Sequence, residues 1–225
     1  MDDAATPLKT TLSAKPVDAS PCGGARPYHH GDLQRALVLA ALRVLEREGP
    51  QALSLRAVAR EAGVSPAAPY HHFKDKNELL LAVAEEGFQG LSDALKEGFE
   101  SDPRHSLSTI GVAYVKYARA NPALYRVMYD CSRNEDAMPE STHIDEKSGF
   151  QLVKQAMIRA GADANDYLGL ELACVAAWCG AHGVAEMANF VQFKPLIEAL
   201  GGEEAFYRGV MRHIGLPRED PETLG

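Results

Sequence analysis

Apolar side chains recur at alternating intervals of three and four residues along most of the chain, and this spacing constrains the fold more than any other feature. Near the start it places one apolar stripe on a single helix, formed by Leu33, Ala36, Leu37, Ala40, Ala41, Val44 and Leu45. Similar patterns predict further helices at about 105–120, 122–130, 143–160, 166–190 and 203–213. No run of alternating β-branched residues indicates a strand. The sequence therefore predicts an all-α protein.

Composition places the chain among soluble globular proteins. Its 225 residues are 46% hydrophobic and 24% charged, enough for one large domain or two smaller ones. No stretch approaches the roughly 18 consecutive apolar residues of a membrane-spanning helix, and residues 1–26 do not resemble a secretory signal. The four cysteines are too widely spread for a disulfide framework, which favours a reducing, cytoplasmic location.

The net charge of -8 is unevenly distributed, so it does not exclude nucleic acid as a partner. Residues 28–78 carry seven basic and six acidic groups, whereas residues 79–225 carry 13 basic and 22 acidic groups. We expect a disordered tail over residues 1–27, a DNA-binding domain over 28–78, a larger helical domain over 79–217 and a short tail over 218–225.

A glycine turn joins two short helical segments between about residues 54 and 73. Ser54 is placed to cap a helix that runs to Ala62, and Gly63 permits a sharp reversal. Val64 then fills the angle between the helices. This layout is typical of a helix-turn-helix, although an ordinary helical hairpin with serine caps would share it.

The second helix of this pair, Pro66 to Phe73, has an unusual start. Ser65 is predicted to cap it, with Pro66 at its first position, where a missing N–H costs nothing. Pro69 should remove one intrahelical hydrogen bond, which predicts a short or partly 3₁₀ helix. Asp75 and Glu78 then form a capping box for a long helix that fades near 101–103.

The block from Gly31 to Phe88 resembles the N-terminal domain of TetR-family transcriptional regulators. The matching segments are 40–45, 53–65, 70–73 and 74–80, whose sequences are AALRVL, LSLRAVAREAGVS, YHHF and KDKNELL. One departure is Pro69, where most of the family carries leucine or another apolar residue. This resemblance implies a three-helix DNA-binding domain with a helix-turn-helix.

The resemblance also implies roles for individual residues. Ser54 and Arg56 would lie near the DNA backbone, the recognition helix would supply base contacts, and Lys76 would meet a phosphate at the start of the long helix. His72 and Phe73 would be structural. The candidate DNA-binding residues are Ser54, Arg56, Ser65, Pro66, Ala67, Tyr70, His71, Lys74 and Lys76.

The segment from Tyr28 to Asp32 is also familiar from a branch of this family. His29 and His30 would reach phosphates as an N-terminal extension, or His30 and Asp32 would cap the first helix. Capping is favoured because Asp is frequent at helix starts.

The larger helical domain predicted over residues 79–217 is the candidate for binding a ligand and a partner subunit. Aromatic and methionine side chains are concentrated in it, including Tyr114, Tyr125 and Tyr129, which suits either a ligand pocket or an ordinary core. The predicted pocket residues are Tyr117, Met128, Phe150, Met157, Trp178 and His182.

Small residues on the helix at 166–190, together with the last helix, predict a four-helix dimer interface. Its predicted members are Ala173, Ala177, Gly180, Ala181, Val184, Phe206 and Val210. Trp178 with His182 and Gly183 resembles the Trp…His-Gly signature of one C-terminal domain class in the TetR family.

Enzymatic interpretations find little support. The chain has no Gly-x-Ser-x-Gly elbow, phosphate-binding glycine loop or His-Glu-x-x-His motif. Cys174, Cys179 and His182 leave a metal site open as a less favoured alternative, because a fourth ligand is not evident. We therefore expect no cofactor and no membrane partner. The resemblance implies a homodimeric, ligand-responsive regulator, most often a repressor, that binds a palindromic operator.

Overall fold

The computed structural model describes residues 30–102, 104–131, 149–188 and 190–213. Over these ranges the chain forms helices and turns without strands, which confirms the all-α prediction. The α-helices are α1 (His30–Glu48), α2 (Leu55–Ala62), α3 (Lys76–Ser101), α4 (Ser106–Ala120), α5 (Pro122–Cys131), α6 (Gly149–Arg159), α7 (Tyr167–Met187), α8 (Lys194–Ala199) and α9 (Glu203–His213). The predicted tails at 1–27 and 218–225 and most of the predicted loop at 131–142 lie outside the described residues.

Most predicted helix ends are confirmed. Gly49 follows α1 at φ +78°, and Gly63 follows α2 at φ +69°, both in the left-handed region that glycine adopts without strain. The Ser54 hydroxyl accepts a hydrogen bond from the backbone N–H of Ala57 at 3.1 Å, as an N-cap does.

The predicted second helix of the pair is a single 3₁₀ turn, Ala68–His71, which confirms that it is short. The backbone N–H groups of Ala68, Tyr70 and His72 each donate to the carbonyl three residues earlier. An α-helix through this segment would bring the Pro69 ring against the Ser65 carbonyl. The segment therefore adopts the tighter three-residue hydrogen bonding of a 3₁₀ helix. The predicted Ser65 cap is wrong, because the turn begins after Ala67 and has no side-chain cap.

Helix α3 is the longest element, with 26 residues, and it begins at the predicted cap. Asp75 Oδ1 accepts hydrogen bonds from the N–H groups of Asn77 and Glu78, at 2.8 and 3.0 Å. The Glu78 carboxylate accepts from the Lys74 N–H rather than from Asp75, so the capping box is closed one residue earlier than predicted. The expected domain boundary after residue 78 falls in the first turn of α3.

Helix α3 packs along α4 and α5 at close range. A Cβ at Gly87 would lie 2.7 Å from the Met128 side chain, and one at Gly90 would lie 2.7 Å from the Tyr117 hydroxyl. The absence of side chains at these two positions therefore sets the separation of the helices. One buried apolar cluster extends from Leu37 in α1 to Met211 in α9.

Two later elements differ from the prediction. Helix α6 begins at Gly149, inside the predicted 143–160 segment, and residues 143–148 lie outside the described part. Helix α8 was not predicted, because its six residues include Pro195 and are too few to show an apolar period.

We expect Gly63→Ala to lower the free energy of unfolding by about 1–2 kcal/mol, since an L-residue is strained in the left-handed region. No atom lies within 4 Å of an added Cβ, so this cost is conformational. Chemical denaturation measures it, with Gly63→Asn as the control because asparagine tolerates this conformation better. Equal stability of Gly63→Ala and the wild type would contradict the assigned turn.

Candidate nucleic-acid interface and internal pocket

The nine residues predicted to contact DNA are all exposed. They are Ser54, Arg56, Ser65, Pro66, Ala67, Tyr70, His71, Lys74 and Lys76. The same stretch of chain buries Leu55, Val58, Pro69 and Phe73 in the core. Because the apolar residues anchor the segment from below, the candidate residues are held on its outer surface.

The turn between α2 and the 3₁₀ segment is held by backbone hydrogen bonds. The Gly63 N–H donates to the Arg60 carbonyl at 3.2 Å, and the Val64 N–H donates to the Ala59 carbonyl at 3.0 Å. Val64 packs against the core, as predicted for the residue that fills the angle. The direction of the chain at Pro66 therefore follows from the geometry at Gly63.

The 3₁₀ segment presents a small and partly aromatic surface. Tyr70 is 54% exposed, and His71 beside it is also exposed. Pro66 and Ala67 precede them and add little bulk, so another backbone or a base edge can come close. His72 is half-buried beneath this surface.

An ion-pair cluster connects α2 to α1. Glu61 in α2 accepts from Arg43 and from Arg47 of α1, each at 2.9 Å. Hydrogen bonds from Arg43 and then Arg47 lower the pKa of Glu61 below its ordinary value, so the carboxylate stays charged. The cluster is exposed, and it serves mainly to orient α2 on α1.

Lys76 lies in the first turn of α3. Its ammonium donates to the Pro50 carbonyl at 3.3 Å while the side chain stays exposed. Lys74 is exposed two residues earlier. Two cations thus stand at the edge of the surface formed by the 3₁₀ segment, where they can meet an anionic backbone.

The alternatives for the N-terminal histidines lie outside what the structure describes. His29 precedes the described residues, and the side chains of His30 and Asp32 are not described. The prediction that they cap α1 or extend towards phosphates stays a prediction.

The six predicted pocket residues stay a prediction, and the described part of the structure places them at different points of the core. Met128 and Met157 are fully buried in the core, and the Tyr117 hydroxyl donates to the Gly87 carbonyl at 2.8 Å, in the contact between α3 and α4. The Phe150 ring lies 6.4 Å from Trp178. Of the six, Trp178 lines the small cavity between α3, α4, α6, α7 and α9.

A cavity of about 20 Å³ lies between α3, α4, α6, α7 and α9. This volume matches a single water molecule. Its walls are Leu95, Leu107, Ile110, Gly111, Tyr114, Val153, Ala177, Trp178, Ala181 and Met211.

Beside the cavity, three tyrosines meet His182 in a buried hydrogen-bonded group, here named the tyrosine cluster (Tyr114, Tyr125, Tyr129, Trp178 and His182). The Tyr114 hydroxyl lies 3.0 Å from that of Tyr125 and 2.5 Å from that of Tyr129. The Tyr125 hydroxyl lies 2.5 Å from Nδ1 of His182, and the two rings stack at 5.4 Å. The Trp178 ring packs edge-to-face on Tyr114, with ring centroids 5.3 Å apart.

The hydroxyl of Tyr114 is shared among three partners, since it also lies 3.3 Å from Nδ1 of His182. One arrangement consistent with these distances has Tyr129 donate to Tyr114, Tyr114 to Tyr125 and Tyr125 to Nδ1 of His182. Burial raises the pKa of Tyr114, Tyr125 and Tyr129 above their ordinary value, so the hydroxyls keep their protons at neutral pH.

The sequence predicts helices that carry these tyrosines but does not bring the tyrosines together. The signal was the four-residue spacing of Tyr125 and Tyr129 and of Trp178 and His182, which puts each pair on one helix face. That spacing could not reveal that the two faces meet.

The alternative metal site gains no support from the geometry. In the described ranges no group of three or more His, Cys, Asp or Glu side chains could hold a metal ion. Burial, with a smaller contribution from Glu171, raises the pKa of Cys174 to about 11, so its thiol stays protonated at neutral pH.

The structure corrects the predicted dimer interface at four positions. Ala177, Ala181, Val184 and Phe206 are buried inside the protomer, so their side chains are not available to a partner. Ala173, Gly180 and Val210 are half-buried. Helices α4 and α9 of the same protomer, rather than a partner, pack against α7 on this side.

The opposite face of α7 is apolar and exposed. Leu172 is 62% exposed, and the neighbouring members of this face are Tyr167, Leu168, Val175 and Met187. Helix α7 is also long and apolar enough to cross a membrane by length and composition, with a mean hydropathy of 1.4. It is packed on one side against the core, as the core helix of a soluble protein also is.

Two family models match separate parts of the chain. The first, described as "Bacterial regulatory proteins, tetR family", matches residues 37–83. The second, described as "Tetracyclin repressor-like, C-terminal domain", matches residues 107–212. Together they reach from α1 to α9, and the unmatched stretch between them, residues 84–106, covers most of α3 and the first residue of α4.

Solved structures share this architecture. A protein of unknown function from Rhodococcus sp. RHA1 is 30% identical with a TM-score of 0.65, and the match covers 86% of this chain and all of that one, 100%. A TetR family transcription regulator from Marinobacter aquaeolei VT8 is 19% identical, with a TM-score of 0.58 over 80% of this chain and 94% of its own. The TetR family regulator PfmR from Thermus thermophilus is 20% identical, with a TM-score of 0.55 over 79% of this chain and 96% of its own. The last two show the fold alone.

We expect Tyr125→Phe to lower the free energy of unfolding by about 0.5–1.5 kcal/mol, because it removes the hydroxyl that lies 2.5 Å from Nδ1 of His182 and 3.0 Å from the Tyr114 hydroxyl. Chemical denaturation measures the change. Tyr167→Phe is the matched control, since Tyr167 is exposed and its loss of a hydroxyl should stay within about 0.5 kcal/mol. A Tyr125→Phe protein as stable as the control would show that the cluster does not depend on this bond.

Proposed function

The chain belongs to the TetR family of bacterial regulatory proteins, a family of DNA-binding transcriptional regulators rather than enzymes, and from this premise we propose that it is a homodimeric repressor released from DNA by a small molecule. Residues 28–78 would form its DNA-binding unit and residues 79–217 its effector and dimerisation unit. It would work in the cytoplasm, at the nucleoid. The observation that carries the proposal is the exposed surface of nine candidate residues anchored by a buried apolar underside.

The short 3₁₀ segment would enter the major groove. Pro66 and Ala67 allow close approach, and Tyr70 and His71 supply a hydroxyl and an imidazole for base edges or phosphates. Because the segment is only one turn long, few side chains can reach bases. A large part of the affinity must then come from phosphate contacts by Ser54, Arg56, Lys74 and Lys76.

Two such segments in a symmetric dimer would read two half-sites. The operator is then a near-palindrome with half-sites roughly 34–36 Å apart, or a multiple of one helical turn. A single 3₁₀ segment would bind one half-site weakly. A dimer that binds both half-sites at once gains a much higher affinity for the operator.

The exposed apolar face of α7 supports a second copy of this chain as the partner. Large side chains at Leu168, Leu172 and Val175 follow a helical stripe, and Met187 is exposed near the end of the helix. Further exposed apolar side chains at Phe190, Val191 and Leu196 extend this surface beyond the end of α7. Soluble proteins rarely leave so large an apolar patch exposed to water. A symmetric dimer would bury this patch on both protomers.

Ligand response would work through α5. This helix carries Tyr125 and Tyr129 of the tyrosine cluster and also packs against α1 and α3, which hold the DNA-binding segment. A ligand that favours another arrangement of the cluster would shift the population to protomers whose reading segments are wrongly spaced for DNA.

We expect Lys76→Ala to weaken binding to all DNA sequences alike and to reduce the slope of log K against log salt by about one unit. Fluorescence anisotropy measures this on the inverted repeat that the full chain selects from random DNA. Lys96→Ala is the control, since Lys96 is exposed on α3 about 30 Å further along the helix axis. Failure to select an inverted repeat would overturn the proposed function, and an unchanged slope would remove Lys76 from the phosphate contacts.

We expect Leu172→Lys to convert the dimer to a monomer, because two like charges would be buried at the symmetric contact. Sedimentation velocity measures the change, with Ile158→Lys on the exposed side of α6 as the control. If Leu172→Lys stays dimeric, the interface lies elsewhere. If the wild type instead floats with lipid vesicles, the apolar face of α7 serves a membrane.

A further inference from the structure

We propose that Pro69 is a positioning residue for sequence reading, because it sets the spacing at which Ala67 and Tyr70 meet the base pairs of the operator. The inference rests on the proposed function and goes further, since it relates two side chains to two base pairs of each half-site. Pro69 itself is buried, so it would act through its neighbours rather than by touching DNA.

The hydrogen bonds around Pro69 explain the shape of the backbone. In an α-helix through this segment, the N–H of residue 69 would donate to the Ser65 carbonyl, but proline has no N–H. The Ser65 carbonyl instead accepts from the Ala68 N–H at 3.0 Å, which begins the 3₁₀ pattern. The Tyr70 N–H continues this pattern by donating to the Ala67 carbonyl at 3.1 Å. The missing donor at Pro69 therefore favours the 3₁₀ form over the α-helix.

The 3₁₀ pattern aligns Ala67 and Tyr70, whose side chains are both exposed. A 3₁₀ helix repeats every three residues with a rise of about 2.0 Å per residue, so the two side chains lie on one line, about 6 Å apart along the axis. In an α-helix the same pair would be about 4.5 Å apart and turned by about 60° from each other. Tyr70 would then leave the face that Ala67 presents.

The spacing of base pairs in DNA matches the 3₁₀ geometry. Successive base pairs are about 3.4 Å apart, so two steps span about 6.8 Å. With the segment lying along the major groove, Ala67 and Tyr70 would meet base pairs two steps apart. The α-helical distance of about 4.5 Å lies between one step and two, and matches neither.

The two side chains suit different features of the bases. Ala67 ends in a methyl group, which forms no hydrogen bond and packs against the 5-methyl group of thymine. The Tyr70 hydroxyl can donate and accept, so it suits the polar edge of a base. Each half-site should therefore contain a thymine opposite Ala67 and a polar contact for Tyr70 two base pairs away.

Selection from random DNA by the full chain and its variants maps the two contacts. We expect Ala67→Gly to lose the preference for thymine at one base pair, and Tyr70→Phe to lose a preference two steps away. Uracil lacks the methyl group of thymine. Placing uracil at the Ala67 position should weaken binding by the wild type about fourfold, and this penalty should vanish in Ala67→Gly.

Pro69→Leu tests the positioning role. Leucine restores the N–H, suits a buried apolar site and favours an α-helix. The uracil penalty should vanish, and the ratio of operator affinity to random-DNA affinity should fall on the order of tenfold. Pro69→Ala also restores the N–H and replaces the leucine variant if circular dichroism shows that the latter is unfolded.

Val58→Ala is the matched control for lost stability. It removes buried methyl groups from α2 and leaves the 3₁₀ segment unchanged, so it should lower the melting temperature. Its uracil penalty and its affinity ratio should both keep the wild-type values.

Three results would overturn the inference. A uracil penalty or an affinity ratio that is unchanged in the Pro69 variant would remove the role of Pro69. The absence of a uracil penalty in the wild type would remove the contact of Ala67 with thymine. Preferences lost at the same or at adjacent base pairs in Ala67→Gly and Tyr70→Phe would contradict the spacing. A wild type that selects no DNA sequence would instead overturn the proposed function, and the inference with it.

Discussion

The close packing of α3 against α4 and α5 is the constraint on which the rest of the structure depends. Helix α3 starts beside the DNA-binding segment, and Leu95 near its other end lines the internal cavity, about 30 Å away along the helix axis. Gly87 and Gly90 let Met128 and Tyr117 approach its backbone so closely that α3 cannot shift without moving α4 and α5. Any change in the cavity is therefore also a change in the support of the DNA-binding segment, because interiors packed at this density transmit displacement instead of absorbing it.

The tyrosine cluster adds a second constraint, of hydrogen bonding rather than packing. Four of its members are bound to one another in a chain of donors, and burial makes each unmet donor or acceptor costly. Such a chain has few satisfied arrangements, since turning one hydroxyl obliges its neighbours to turn. A core with a small number of discrete arrangements is suited to switching, whereas a purely apolar core relaxes through many nearly equal ones.

The sequence predicted the helical fold well, because most helices are long enough to show their period and several are bounded by a residue with a local reason to stop. Ser54, Gly63 and Asp75 act within their own few residues, so their roles follow from chemistry that needs no distant partner. The predicted cap at Ser65 failed because Pro69, four residues further on, excludes the α-helix that the cap required. Helix α8 is too short to carry a period, and was missed.

By itself, then, the sequence determined the helices, the turn at Gly63 and the family to which the chain belongs, since all of these rest on spacing and local backbone preference. Only the tertiary structure decided which face of α7 turns inward. Ala177 and Ala181, which were proposed for a partner, face the protomer's own core, and Leu172 and Val175 face outward. It also decided that Tyr114, Tyr125, Tyr129 and His182 meet, across three helices separated by up to 68 residues. An apolar period indicates that a helix has a face to bury. Which neighbouring helix covers that face depends on the packing of the whole chain.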